Sequence, residues 1–186
     1  MSETTPTVGV IGAGTFGTAI ANLLAYNSEV LIYARKPEVV TAIQAGEARY
    51  GIQLPPRVQA TTNLEEVAAS CRLIFPVVPS IAFRTMMRQI SPYLRPYHLL
   101  VHATKGFDLR GVDEAELSQG NVITRRNVST MSEVIRQESC VLRIGCLSGP
   151  NLAREILEGQ PTATVIASKY DEVITAAKAV LSSPQF

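Results

Sequence analysis

The sequence predicts an α/β fold: a doubly wound, mostly parallel sheet with helices on both faces, as one domain over residues 1–186. Three observations predict it. Short β-branched or apolar runs alternate with segments whose apolar residues recur at helical spacing. The strand-like runs are largely apolar, as strands covered on both faces are. A glycine-rich turn, Gly12-Ala13-Gly14-Thr15-Phe16-Gly17, stands between the first run and the first helix.

The elements follow in order. Thr7–Ile11 is a strand, and Thr15–Tyr26 a helix with Ile20, Leu23 and Leu24 on one face. Asn27-Ser28 breaks it, since Asn tolerates a left-handed cap. Glu29–Ala34 is the second strand. Pro37 opens the next helix, Val39, Val40 and Ile43 give it a stripe, and Gly46 ends it. Residues 47–62 read as loop with one short strand near Val58. Asn63 caps a helix over Leu64–Ala69. Leu73–Val78 is a strand carrying Pro76; proline favours edges and strand ends, so this strand is expected to be short or locally unpaired. Ser80–Ile90 is a helix and Tyr97–Ala103 a strand. The polar stretch 108–128 reads as a surface excursion. Met131–Gln137 (helix), Val141–Leu147 (strand), Leu152–Leu157 (helix), Ala163–Ala167 (strand) and Asp171–Leu181 (helix) complete the alternation.

Composition narrows the function. The 186 residues carry 17 Lys and Arg against 16 Asp and Glu, a net charge of +1, which argues against nucleic acid or a membrane surface as partner. At 46% hydrophobic residues, disorder is excluded. Three cysteines fit a reducing compartment, and all three read as buried or half-buried thiols. No stretch approaches the roughly 18 apolar residues of a membrane span. The start, MSETTPTVGVIG, lacks the pattern of a secretory signal, so the expected compartment is cytoplasmic (cytosol or stroma), a transit peptide already removed being compatible with it.

The glycine turn carries the chemistry. Gly12 permits the tight bend, Gly14 lets a diphosphate approach the backbone, and Gly17 lets the helix pack on the sheet. The helix's free N–H groups then face the phosphates of a dinucleotide, NAD(H) or NADP(H). The alternative is a tight βα turn without a ligand. The second strand ends Tyr33-Ala34-Arg35-Lys36, with no acid at the tip where NAD-preferring sites usually have one. Two cations suit a 2′-phosphate, so NADPH tolerance or preference is predicted. A solvated basic loop, or NADH use without preference, would look the same.

Three later strand ends are candidates. Val77-Val78-Pro79-Ser80 joins a strand to a capped helix whose N-terminus could line the nucleotide site. Ala103-Thr104-Lys105-Gly106 projects Lys105 into the crevice, where it could meet an anionic group; an ordinary surface lysine is the other reading. Ser148-Gly149-Pro150-Asn151 offers a second helix N-terminus to an anion, or simple capping by Asn151. His98 and His102 fall at i and i+4 on one strand. Interior hydrogen bonding is the expected role for both, a catalytic role for His102 being the alternative because it lies near Lys105. No spacing suggests a metal site, a Ser–His–Asp set or paired carboxylates for hydrolysis.

Together these motifs resemble the nucleotide-binding half of NAD(P)-dependent glycerol-3-phosphate dehydrogenase. The carriers are GAGTFGTA at 12–19, VVPS at 77–80, ATKG at 103–106, MSEV at 131–134, LSGPN at 147–151 and GQPTA at 159–163. The resemblance implies a Rossmann-type domain and reduction of dihydroxyacetone phosphate to sn-glycerol 3-phosphate for phospholipid synthesis. It implies that Gly12, Gly14, Thr15, Phe16 and Gly17 hold the cofactor, with Arg35 and Lys36 near its 2′-phosphate and Tyr50 as the aromatic residue of the following loop. Lys105 would touch both cofactor and substrate, Gly149 and Asn151 the phosphorylated substrate, and Ala153 the cofactor. No metal is implied. This chain departs from the family at Asn151, where Ser or Thr is usual, at Arg72, where an acid is often found, at Phe75-Pro76, and in a shortened loop around 47–56. The family chain continues into a helical domain that holds the proton-donating lysine, expected beyond Phe186; residues 1–186 are therefore expected to bind dinucleotide with little or no turnover. A homodimer of the full-length protein is compatible with this, though the sequence does not fix oligomeric state. The competing readings are another two-domain dehydrogenase, of the hydroxyacid or 6-phosphogluconate type, and a non-enzymatic NADP(H)-sensing module.

Overall fold

The computed structural model describes residues 7–110 and 123–183. Its strands are β1 (Thr7–Ile11), β2 (Glu29–Tyr33), β3 (Val58–Thr61), β4 (Leu73–Pro76), β5 (Leu99–His102), β6 (Phe107–Leu109), β7 (Val128–Thr130), β8 (Arg143–Ser148) and β9 (Val165–Ser168). Its helices are α1 (Thr15–Leu24), α2 (Pro37–Gln44), α3 (Leu64–Ser70), α4 (Ser80–Ile90), α5 (Met131–Glu138), α6 (Ala153–Leu157) and α7 (Asp171–Leu181). Seven strands form one sheet in the order β3-β2-β1-β4-β5-β8-β9, parallel except for β9, which runs antiparallel to β8. The order reverses between β1 and β4, and in sheets of this kind ligands bind outside the strand ends at that switch point.

Two hydrophobic clusters sit on the two faces. One gathers Val8, Val10, Ile20, Leu24, Ile32, Phe75, Val173 and Ala177 under α1 and α7; the other gathers Ile11, Ile74, Phe83, Met87, Leu100, Val134 and Ile135 under α3, α4 and α5. The apolar character of β1 and β4 thus follows from cover on both sides. Helix starts obey local chemistry. Asn63 Oδ1 accepts from the Glu65 amide at 2.9 Å, and Thr130 and Glu133 form a reciprocal capping box on α5.

One expectation holds: Pro76 ends a short β4 inside the sheet, where only Leu73 and Ile74 pair in register with β5, although the Pro76 carbonyl still accepts from the Ala103 amide at 3.2 Å. Several others are corrected. Asn27 is not in the left-handed region; its amide instead donates to the Val180 and Ser182 carbonyls, tying the end of α1 to α7. The stretch 108–128 is not all excursion, because Phe107–Leu109 pairs antiparallel with Val128–Thr130; residues 111–122 lie outside the described residues. This hairpin is pinned by Arg84 of α4. Buried to 11% side-chain exposure, Arg84 meets Asp108 at 2.7 Å and also Glu138, which Arg88 and Arg110 share at 3.0 and 3.3 Å. Arg88 and Arg84 hold the Glu138 carboxyl below the usual carboxylate range. His98 precedes β5 and does not share a strand with His102; fully buried, it bonds the Ala68 carbonyl through Nε2 at 2.8 Å. Cys140 lies outside β8 and is exposed, whereas Cys71 is buried and Cys146 half-buried. Burial, reinforced by Glu66, pushes the Cys71 thiol up to about 12, an inert group.

Candidate functional site

The turn after β1 is built as a seat. Gly12 adopts φ +118°, and a Cβ there would come within 2.6 Å of the Val77 carbonyl. At Gly17 a Cβ would stand 1.7 Å from the Gly12 carbonyl oxygen, so α1 could not begin so close to β1 with any other residue. Gly14 is different: a Cβ there meets nothing within 4 Å, and its surface is open. Gly12 and Gly17 therefore serve the protein's own packing, whereas Gly14 leaves space beside the first turn of α1. That is the geometry a diphosphate needs at a helix N-terminus.

The open face leads into a cleft of about 450 Å³. Gly14, Thr15, Phe16 and Gly17 line one wall, Val77, Val78 and Pro79 the floor, and Ala103–Lys105 with Asn151–Ala153 the other wall. Of the sequence-predicted residues, Gly14, Thr15, Phe16, Gly17, Lys105, Asn151 and Ala153 meet here. Gly149 sits just behind, its carbonyl 3.3 Å from Lys105 Nζ. Tyr50 joins Thr15 in an adjacent cleft of about 400 Å³. Arg35 and Lys36 stand exposed beyond the tip of β2 and line neither cleft, Lys36 forming an exposed 3.8 Å pair with Glu38. A larger cleft, about 540 Å³, lies by the C-terminal end of α2; among the described residues, no ionisable residue and no predicted residue lines it.

Among the described residues, Lys105 is the one ionisable side chain lining the 450 Å³ cleft, so charge recognition by them rests on an ammonium. Thr104 fixes its backbone by donating to the Val78 carbonyl at 2.7 Å, which laces the ends of β4 and β5 together. His102 stands behind this wall, not in it. It is 5% exposed, bonds Ser132 Oγ through Nε2 at 2.9 Å and packs edge-on to Phe83. Burial pushes its pKa down to about 4, against a weaker opposing pull from the Thr104 backbone. Nδ1 is buried without a partner of good geometry. A neutral, enclosed imidazole outside the cleft does not do acid–base work there.

Asn151 neither caps a helix nor serves a helix N-terminus: α6 begins at Ala153 after Leu152 and has only five residues. Likewise, no side chain caps α4, whose start follows Pro79. The Asn151 amide is instead oriented by a relay. Thr164 Oγ1 donates to the Ser148 carbonyl at 3.0 Å, so it accepts from Asn151 Nδ2 at 2.9 Å. That fixes Oδ1 as an acceptor. Oδ1 is buried without a protein partner, in a residue 8% exposed that lines the cleft. Thr104, Thr164 and Ser132 escaped the sequence reading; the adjacency of Thr104 to Lys105 was a local signal, but no spacing marks the other two.

A family model described as the N-terminus of NAD-dependent glycerol-3-phosphate dehydrogenase matches residues 7–174. The chain belongs to that family. This glycerol-3-phosphate dehydrogenase N-terminal chain is 39% identical over 191 residues to glycerol-3-phosphate dehydrogenase [NAD(P)+] of Pseudomonas aeruginosa (strain LESB58), covering 100% of the chain and 51% of the relative. It thus spans about half the length of the curated relatives it matches. Its fold is that of glycerol-3-phosphate dehydrogenase from Coxiella burnetii, with a TM-score of 0.80 at 23% identity over 98% of this chain and 52% of that one. The enzyme of Dunaliella salina gives 0.83 at 16% identity, over 98% of this chain and 33% of that one. The Rossmann-type glycerol-3-phosphate dehydrogenase N-terminal domain expected from the motifs is the fold observed.

Proposed function

We propose that this chain is the dinucleotide-binding part of an NAD(P)-dependent sn-glycerol-3-phosphate dehydrogenase, which interconverts dihydroxyacetone phosphate and sn-glycerol 3-phosphate and feeds phospholipid synthesis. One observation carries the reading: a single cleft brings together an open Gly14, the ammonium of Lys105 and an acceptor on Asn151 that is buried without a partner among the described residues. The residues fit a nicotinamide dinucleotide. Gly12 and Gly17 close the turn, Gly14 leaves room for phosphate, and α1 begins beside it at Thr15 with no side-chain cap, its first amides lacking intrahelical partners as at any helix start. When bound, that cofactor supplies the hydride.

The chain's own groups position and polarise. Gly14, Thr15 and Phe16 hold the dinucleotide, with Ala153 across the cleft. Lys105, placed by Thr104 and the Gly149 carbonyl, attracts the substrate's negative charge and stabilises oxygen anion as it develops. Asn151 accepts from a ligand hydroxyl or amide. Arg35 and Lys36 face a 2′-phosphate where NADPH is used. The proton for the alkoxide comes, in this reading, from a lysine outside residues 1–186, so the substrate-handling machinery is shared with the rest of the full-length enzyme, for which a homodimer and a cytoplasmic location are the working assumptions. Among the described residues, no helix is long and apolar enough to cross a membrane.

Calorimetric titration of the chain with NADPH and NADH tests the reading. Saturable binding that disappears in Gly14→Val, with an unchanged thermal melt, is expected. Absence of binding by the native chain overturns it. Rapid reduction of dihydroxyacetone phosphate by residues 1–186 would refute the external proton donor alone.

A further inference from the structure

Arg49 is half-buried beside the phosphate turn, yet its chemistry is unused. Most arginines of this protein that leave the surface do so against carboxylates: Arg84 meets Asp108 and Glu138, and Arg143 meets Glu172. Arg49, among the described residues, forms no ion pair. One Nη donates to the Ala13 carbonyl at 3.3 Å, the guanidinium carbon sits 5.3 Å from the Tyr50 ring centroid, and Nε is buried without a partner. A guanidinium partly withdrawn from water without a counter-charge is costly unless an anion completes it.

The backbone is arranged to hold it there. Arg49 and Ile52 exchange both hydrogen bonds, 2.7 and 3.1 Å, around a two-residue turn in which Tyr50 has φ 50° and Gly51 φ 86°. Such turns need positive φ at both central positions, which glycine and asparagine supply readily and a bulky aromatic does not. Tyr50 is the one non-glycine with positive φ among the described residues. Strain of this kind persists where it aims a side chain. Here it presents Tyr50 toward Thr15 across the 400 Å³ cleft while Arg49 reaches Ala13, between the first two glycines of the turn.

We infer that Arg49 is a cofactor-contacting residue whose guanidinium pairs with a diphosphate oxygen of the bound dinucleotide, with the Tyr50 ring against its other side. The inference rests on the dinucleotide reading above and adds a cation to it. The anchor at Ala13, not at the β2 tip, favours the diphosphate over the 2′-phosphate. The contact therefore serves NADH and NADPH alike.

The test is titration of the native chain, Arg49→Met and Arg49→Lys with NADH, NADPH, ADP and adenosine. Arg49→Met is expected to weaken NADH, NADPH and ADP together by about tenfold to a hundredfold, the effect of one charge-assisted hydrogen bond. Adenosine binding should not change, and Arg49→Lys should recover part of the loss. Loss confined to NADPH, with ADP unaffected, overturns the diphosphate assignment. Equal weakening of adenosine shows a role in folding the hairpin only and overturns the inference. So do unchanged affinities in Arg49→Met. Failure of the native chain to bind NADH and NADPH sinks the dinucleotide reading itself.

Discussion

The two walls of the cleft are made in different ways. The wall at Gly12–Gly17 is six consecutive residues, and its shape is set by which of them lack a Cβ. The facing wall is assembled from Thr104 and Lys105 after β5, Gly149 and Asn151 after β8, and Thr164 just before β9. The first is local; the second is a set of side-chain hydrogen bonds between segments up to 44 residues apart. The difference separates what packing demands from what a ligand demands, and each wall can be broken on its own.

The largest effect belongs to the local wall. Gly17→Ala places a methyl 1.7 Å from the Gly12 oxygen, which neither backbone can escape without moving α1 off the sheet. A loss of about 4 kcal/mol or more is expected, seen as a chain that is unfolded or melts far below the native one. Gly14→Ala, three residues away, meets nothing within 4 Å and has φ −77° and ψ −176°, which any residue adopts. Its melt should match the native chain while its NADPH affinity falls at least tenfold, about 1.4 kcal/mol or more. A Gly14→Ala chain that binds NADPH normally would show that no phosphate approaches that backbone.

This contrast also marks what the sequence made legible. The glycine turn, the strand and helix that flank it and the boundaries of α4 and α7 could be read because their determinants are neighbours in the chain. The parallel sheet followed from the apolar strands. The antiparallel β6–β7 pair was missed because Phe107–Leu109 and Val128–Thr130 are three-residue strands whose anchor is Arg84, a residue of another helix. For Asn151 the neighbouring residues left capping and an anion site as alternatives, and only Thr164 thirteen residues on shows where its side chain goes. Cys140 was read as a buried or half-buried thiol, but it lies before β8, which begins at Arg143, and is exposed. Pairings between distant segments decide these cases, and propensity does not carry them.

The second effect probes what stands behind the facing wall. His102 has a folded pKa of about 4 against an ordinary 6.5, because burial favours the neutral ring. Between those values the unfolded chain binds more protons, so stability is complete above pH 6.5 and falls as pH drops toward 4. The loss is at most about 1.4 kcal/mol per pH unit and about 3 kcal/mol in all. Arg88 holds Glu138, and the Thr130 amide together with Arg125 holds Glu133, below the carboxylate range, so their contributions are lost at lower pH than the upper part of the His102 window. Urea unfolding of the native chain and His102→Gln at pH 7, 6 and 5 checks this. The variant should lose less stability across that window, and parallel curves would show that His102 is not held neutral.

Next comes the exposed cationic tip of β2, which neither wall contains. Among the described residues Lys36 is paired only to Glu38, in the open at 3.8 Å, a contact too weak to compete with a phosphate. Arg35→Ala with Lys36→Ala should weaken NADPH by about tenfold to a hundredfold and NADH little, measured by titration under matched salt. An equal loss for both nucleotides would place these cations elsewhere than at the 2′-phosphate. Set beside Arg49→Met, which should affect both nucleotides equally, the pair of measurements maps which phosphate each cation reads.

The smallest effect is the most diagnostic for the nonlocal wall. Thr164→Val keeps the shape of the side chain but removes both the bond to Ser148 and the acceptor for Asn151 Nδ2. The amide is then free to turn, and Oδ1 no longer stands as a fixed acceptor in the cleft. The net cost of one such neutral bond is about 1 kcal/mol, roughly fivefold in affinity for a ligand that donates to Asn151. Thr164→Ser retains the relay and should retain the affinity. The side-chain amide of Asn151, assigned in an ¹⁵N spectrum by its loss in Asn151→Asp, should shift in the valine variant and hold its position in the serine variant. Gly14 and the first turn of α1 share no hydrogen bond with this relay, so affinity for ADP should be the same in all three chains. If ADP weakens as well, the two walls are coupled, and the division between a packed wall and an assembled one fails.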